Sequence, residues 1–246
     1  MNHNQQHKVT KSMNTANSNR LKKNCMTYEF ELFKLPYAFY ALEPNIDALT
    51  MELHHDRHLK TYTDNLNATL KPYPELHGWT LERLLCSLHS LPLKIREAVR
   101  NNGGGVYNHI YYFSGMCPND EANKSAHICE PEGSLARKIE CVFGGFDEFK
   151  KQFKASAIQV FGSGYLWLVA NRRGQLKIME TSNQDTPIAQ GYCPIICLDL
   201  WEHAYYLKHY NDRASYIDDW FNVLNCDFAE KNYECCLAID NSQTKM

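Results

Sequence analysis

Phe161-Gly162-Ser163-Gly164-Tyr165-Leu166-Trp167-Leu168-Val169 is the stretch at which the hydrophobic period of this chain changes. Before it, apolar residues recur at helical spacing; after Gly162 and Gly164 they come in short runs suited to strands. Tyr165–Val169, Leu176–Glu180 and Ile195–Asp199 read as three short strands, with Asn171-Arg172-Arg173-Gly174 as the turn between the first two. Trp201–His209 and Ser215–Val223 return to helix. Upstream, Phe146–Ala157 and Ser134–Val142, the latter capped by Ser134, read as helices.

The first half reads as helix alone. From Asn45 to Leu70 apolar residues keep helical spacing, and His54, His58 and Tyr62 fall at i, i+4 and i+8 on one face. Pro72 and Pro74 end this helix. A second helical region starts at Trp79, with Thr80 as cap and Glu82 in the first turn. Pro92 interrupts it, Ile95–Arg100 continues it, and Gly103-Gly104-Gly105 is expected to break or strongly bend the path before Asn108–Phe113. Two long helical stretches joined by a Pro-bearing loop suggest an antiparallel hairpin. The expected class is α+β: a flexible polar extension (1–27), a helical hairpin domain (28–117), a linker (118–133), and a mixed C-terminal domain with a three-stranded antiparallel sheet (134–246).

Bulk properties exclude several partners. The chain has 246 residues, 44% hydrophobic and 22% charged, with a formal net charge of -2. That balance points to no nucleic-acid partner, and no apolar run approaches the ~20 residues needed to cross a bilayer. Residues 1–27 hold six asparagines, five Lys or Arg and no Asp or Glu, a composition that favours disorder and lacks the apolar run of a secretory signal. Among the ten cysteines, Cys86, Cys193, Cys197 and Cys226 sit among apolar residues and read as reduced core thiols. Cys193 and Cys197 have no second pair at finger spacing, which argues against structural zinc. The default compartment is a reducing cytoplasm.

Chemistry is carried by four separated fragments: His54-His55-Asp56-Arg57-His58 with Tyr62, Asn108-His109, Gln184-Asp185, and Asp199-Leu200-Trp201-Glu202-His203. Three imidazoles and one carboxylate form a nitrogen-rich set with one hard oxygen, suited to a redox-capable divalent or trivalent metal. Each fragment alone is weak. A single helical histidine is more often a satisfied core or surface residue, and His-Glu-x-x-His is absent. Asp199 is as readily a helix cap as a ligand, because Glu202 three residues on completes a capping-box pattern. His109, beside a triple glycine that permits close backbone approach, tips the balance.

Taken together these fragments identify a resemblance. From Tyr28 to about Phe228 the chain resembles the iron/manganese superoxide dismutases, through Leu35-Pro36-Tyr37, Ala41-Leu42-Glu43-Pro44, Met51 to His58 with Tyr62, Asn101-Asn102 to Asn108-His109, Phe161-Gly162-Ser163-Gly164, Asn183-Gln184-Asp185, and Asp199 to Tyr206. The resemblance implies one metal ion per subunit held by His54, His109, Asp199 and His203, with a water or hydroxide as fifth ligand in a trigonal bipyramid. It implies a gateway of His58 and Tyr62 and a Gln184 partner for the bound solvent. It further implies a homodimer, or a tetramer of two such dimers, in which Glu202 reaches the partner's His203 and Tyr206 reaches the partner's His58. Trp167 and Trp201 keep the family's identities around the metal. Tyr165 and Phe113 depart from it, since the family commonly has Trp at both. Gly105 and Gln184 match its manganese members, so manganese is expected, although iron suits the same donors.

The substrate implied is superoxide. Arg57, Lys60 and Arg213 are expected to make the mouth of the site locally positive, although a solvated helix charge is as good a reading of Lys60. Two other classes compete. A non-haem iron oxygenase or a metal hydrolase would need open metal positions that a fourth protein donor closes. A structural protein on a dismutase fold would be expected to have lost donors.

Overall fold

The computed structural model describes residues 26–118 and 130–243. The expected extension 1–27, apart from its last two residues, and most of the expected linker lie outside the described residues. The first half is a helical hairpin. Helix α1 (Ala48–Leu53) starts where Asp47 accepts the Thr50 backbone N–H and runs through a π-helical turn (His54–Leu59) into α2 (Lys60–Leu70) without a break. After a tight turn at Pro74–Leu76, Thr80 caps α3 (Leu81–Cys86) by accepting the Arg83 N–H. The return arm is α4 (Leu93–Ala98), a second π turn (Val99–Gly103) and α5 (Gly104–Ser114).

The triple glycine therefore does not break the path. All three residues continue the helix, and the chain needs them for close approach. A Cβ on Gly104 would lie 2.0 Å from the Gln184 carbonyl oxygen, and one on Gly105 2.4 Å from the Tyr62 ring. Glycine here lets the second half of the chain and the facing helix press directly onto α5.

The second half opens with α6 (Gly133–Phe143) and α7 (Phe146–Gln159). The expected Ser134 cap is replaced by a distant one. The Glu230 carboxylate accepts from Ser134 N (2.8 Å) and Leu135 N (3.0 Å), filling the anionic place at the N-terminus of α6. Strands β1 (Gly164–Ala170), β2 (Leu176–Ser182) and β3 (Cys193–Asp199) form an antiparallel sheet in the order β2-β1-β3. Central β1 is buried at every position, whereas β2 alternates because it lies at an edge.

Two expectations at the C-terminal end are corrected. Trp201–His209 is not one helix: a 3-10 turn (Glu202–Ala204) and the single turn α8 (Tyr206–His209) are separated at Tyr205, whose φ of -145° is not helical. After α9 (Arg213–Phe221), an 18-residue helix α10 (Cys226–Gln243) packs against β3 and α6 and buries Ala229, Tyr233 and Cys236. Cys226 at its start is disulfide-bonded rather than a reduced thiol; apolar neighbours suit either state, so its surroundings in sequence did not distinguish them. No helix among the described residues is long and apolar enough to cross a membrane.

Candidate metal centre

Four side chains from four segments meet where the hairpin abuts the sheet. His54 opens the first π turn, His109 lies on α5, Asp199 ends β3, and His203 sits on the 3-10 turn that follows. One nitrogen or oxygen from each lies within 4.8 Å of all the others. His54 Nε2 is 3.2 Å from Asp199 Oδ2 and 3.2 Å from His203 Nε2, and His203 Nε2 is 3.6 Å from the same oxygen. His54, His109 and Asp199 are buried; His203 is at the rim.

Each donor is aimed by a contact on its far side. His109 Nδ1 lies 2.7 Å from the Gly105 carbonyl, so it carries the proton and leaves the lone pair on Nε2. Asp199 takes both of the roles that its sequence left open. Its Oδ1 accepts the Trp201 N–H at 2.8 Å as a cap, and its Oδ2 turns toward the histidines. Its backbone carbonyl accepts from Tyr216 Oη (2.9 Å), which in turn meets Tyr112 Oη at 3.0 Å.

The electrostatics suit a cation. Burial lowers the pKa of His54 to about 4, helped by His203, and burial pushes His109 well below its ordinary value. Burial pushes the Asp199 carboxyl up, but hydrogen bonds from His203 and His54 outweigh it and hold the acid well below the usual carboxylate range. His109 Nε2 and Asp199 Oδ2 are buried without hydrogen-bond partners among the described residues. A buried carboxylate facing unprotonated imidazole nitrogens is costly on its own and satisfied by a metal ion. The donor set fits manganese or iron.

Beside this cluster His58 stacks on the His203 ring, with centroids 4.0 Å apart, and burial lowers its pKa. The Tyr62 ring lies 5.2 Å from His109. Gln184 Nε2 donates to Tyr62 Oη at 3.2 Å while Gln184 Oε1 accepts from Asn108 Nδ2 at 3.1 Å. Burial raises the Tyr62 pKa against the opposing pull of Gln184, so its phenol stays protonated at neutral pH.

The remaining residues named from sequence fall into two groups. Trp201 reaches the centre, its ring 5.6 Å from His203 and its indole N–H bonded to the Asn183 carbonyl. Glu202 and Arg213 line a cleft of about 620 Å³ that includes His203, Phe161 and Ser163. Tyr206 is half exposed. Trp167 stands further out, stacking near Tyr165 and donating its indole N–H to Thr181. Arg213 donates to the Val160 and Gly162 carbonyls and to Tyr205, and Lys60 is paired with Asp64, so both charges are partly spent on neighbours.

Sequence reasoning missed the clamp behind Gln184. Arg100, in the second π turn, grips Asp185 with two bonds of 2.6 Å, and Asn108 Nδ2 also reaches the Asp185 carbonyl at 3.3 Å. These partners are 85 and 77 residues apart, and no local pattern announces them.

Comparison with known proteins agrees with this geometry. Residues 29–117 match the alpha-hairpin domain, and residues 131–232 the C-terminal domain, of the iron/manganese superoxide dismutases. A manganese superoxide dismutase of Listeria innocua is 48% identical over 209 residues, covering 85% of this chain and 98% of its own. One from Thermus thermophilus is 46% identical over 209 residues (85% and 99%), and a second-copy manganese enzyme of Bacillus cereus 45% over 204 residues (83% and 94%).

Proposed function

The chain belongs to the iron/manganese superoxide dismutase family, and from that premise we propose that it disproportionates superoxide to dioxygen and hydrogen peroxide with one manganese ion per chain. The observation that carries this reading is the convergence of His54, His109, Asp199 and His203 with two of their donor atoms buried and unpartnered. Bound there, the metal would supply the one-electron couple that accepts an electron from one superoxide and returns it to the next.

The residues do the rest. Anionic Asp199 favours the higher oxidation state, while three neutral imidazoles keep the lower one within reach. Gln184, held between Asn108 and Tyr62, is placed to hydrogen-bond solvent at the centre, and its bond to Tyr62 links that solvent to a protonated phenol at the gate. Tyr62 and Gln184 are thus assigned to proton delivery, and His58, stacked over His203, to the gateway. Gly105, which lets Tyr62 lie close, and the placement of Gln184 support manganese over iron.

The working unit is assigned as a homodimer. Phe161 is fully exposed, and Tyr206, Leu207 and Tyr210 are about half exposed or more. Glu202 sits among them in the cleft beside His203, where it is free to reach a second subunit's His203 across a two-fold axis. Purified protein should hold about one manganese per chain and consume superoxide, measured by metal analysis and by activity after separate reconstitution with each metal. Activity restored by iron alone would overturn the manganese assignment.

A further inference from the structure

Around the four donors, the phenols have visible employment with one exception. Tyr62 Oη accepts from Gln184, Tyr216 Oη donates to the Asp199 carbonyl, and Tyr112 Oη pairs with Tyr216. Tyr165 differs. It starts strand β1 directly opposite Asp199 on β3 and is completely buried. Its ring stands edge-on to His109, with centroids 6.4 Å apart. Its Oη has no hydrogen-bond partner among the described residues. Gln184, Asp199 and Tyr62 are its polar neighbours; Gln184 is close enough to favour the ionised phenol, yet none of its atoms reaches hydrogen-bonding geometry.

A buried hydroxyl with nothing to bond costs stability, and such groups in folded proteins are rare unless a ligand or ordered solvent completes them. A Tyr at this place exchanges an indole for a phenol whose donor stands at the end of the ring, among the groups that surround the centre. Resting on the metal reading above, we propose that Tyr165 is an anion-contacting residue: its Oη donates a hydrogen bond to the small anion admitted to the cavity beside Gln184. The chain would then hold its substrate with one more donor than Tyr62 and Gln184 supply.

The test removes one oxygen. In manganese-loaded full-length protein, azide serves as the anion probe and its affinity is read from the optical spectrum. Tyr165→Phe should weaken azide binding about tenfold, the size of a lost hydrogen bond to a charged group. The metal-free variant should unfold at the same temperature as the parent or higher, because no internal bond is lost. Tyr112→Phe gives the contrast: its hydroxyl is used internally, so it should lower the unfolding temperature and leave azide affinity unchanged. Equal azide affinity in Tyr165→Phe and parent overturns the proposal while leaving the metal reading intact. So does a variant that fails to fold or unfolds earlier, which would show the hydroxyl bonded within the protein. A parent that takes up no manganese overturns both.

Discussion

Gly104 and Gly105 show how much of the site depends on atoms that are missing. Glycine inside a helix ordinarily costs about 0.5–1 kcal/mol relative to alanine, so alanine at either position would be expected to stabilise. Here the sign reverses. Gly104→Ala drives a methyl to 2.0 Å from the Gln184 backbone carbonyl, which no side-chain rotation relieves. It should lower stability by roughly 1–3 kcal/mol in urea unfolding, the usual cost of overpacking. In Gly105→Ala the methyl meets the Tyr62 ring at 2.4 Å, and that ring is only partly buried and able to swing. The stability loss should be smaller, while the Gln184–Tyr62 hydrogen bond is broken and turnover falls. Equal stability of both variants and the parent would contradict this account.

Among the elements, the hairpin and the sheet hold different things in place. Gln184 follows the sheet's edge strand, yet its loop is fixed from the hairpin by Arg100 on Asp185 and by Asn108. The Arg100 side chain is half exposed, so the pair should contribute less than about 1 kcal/mol to stability. Its two-pronged geometry nonetheless fixes direction. Arg100→Ala should therefore leave thermal stability nearly unchanged and slow turnover by about tenfold, as losses of groups that orient a metal site commonly do. Loss of stability and turnover in proportion would point to a purely structural pair. What the sequence made legible at this scale follows the same division. The strands and most helices declared themselves through local periodicity, and the four donors stood out by residue type. The Arg100 clamp and the Glu230 cap on α6 depend on pairs far apart in sequence. Helix α10 was hidden differently: Ala229, Tyr233 and Cys236 recur at i, i+4 and i+7, but its cysteines drew attention as chemistry rather than as apolar positions. The triple glycine misled because a turn signal and a close-packing signal use the same residue.

Across the whole molecule, the centre joins the two halves. His54 and His109 come from the hairpin, Asp199 and His203 from the sheet side, and Lys208 adds a second tie by donating to the Pro44 and Asn45 carbonyls and pairing with Asp219. If two chains meet over the cleft of Glu202, His203 and Phe161, then Glu202→Ala should shift sedimentation toward monomer and reduce activity together; a fully active monomer at assay concentration would remove that interface. The π turns described in both arms of the hairpin also decide which kind of change this chain can bear. Each takes one more residue than the α turn it interrupts. Deleting a residue within 54–59 or 99–103 would let the local backbone relax to plain α-helix, yet every side chain beyond would rotate by about 100° about the axis. Tyr62 in one arm and His109 in the other would then point away from the centre. Substitutions along these arms are graded in effect, whereas a change of length is all-or-none: the count of residues from His54 to Tyr62, and from Arg100 to His109, is as much a part of the site as their identities.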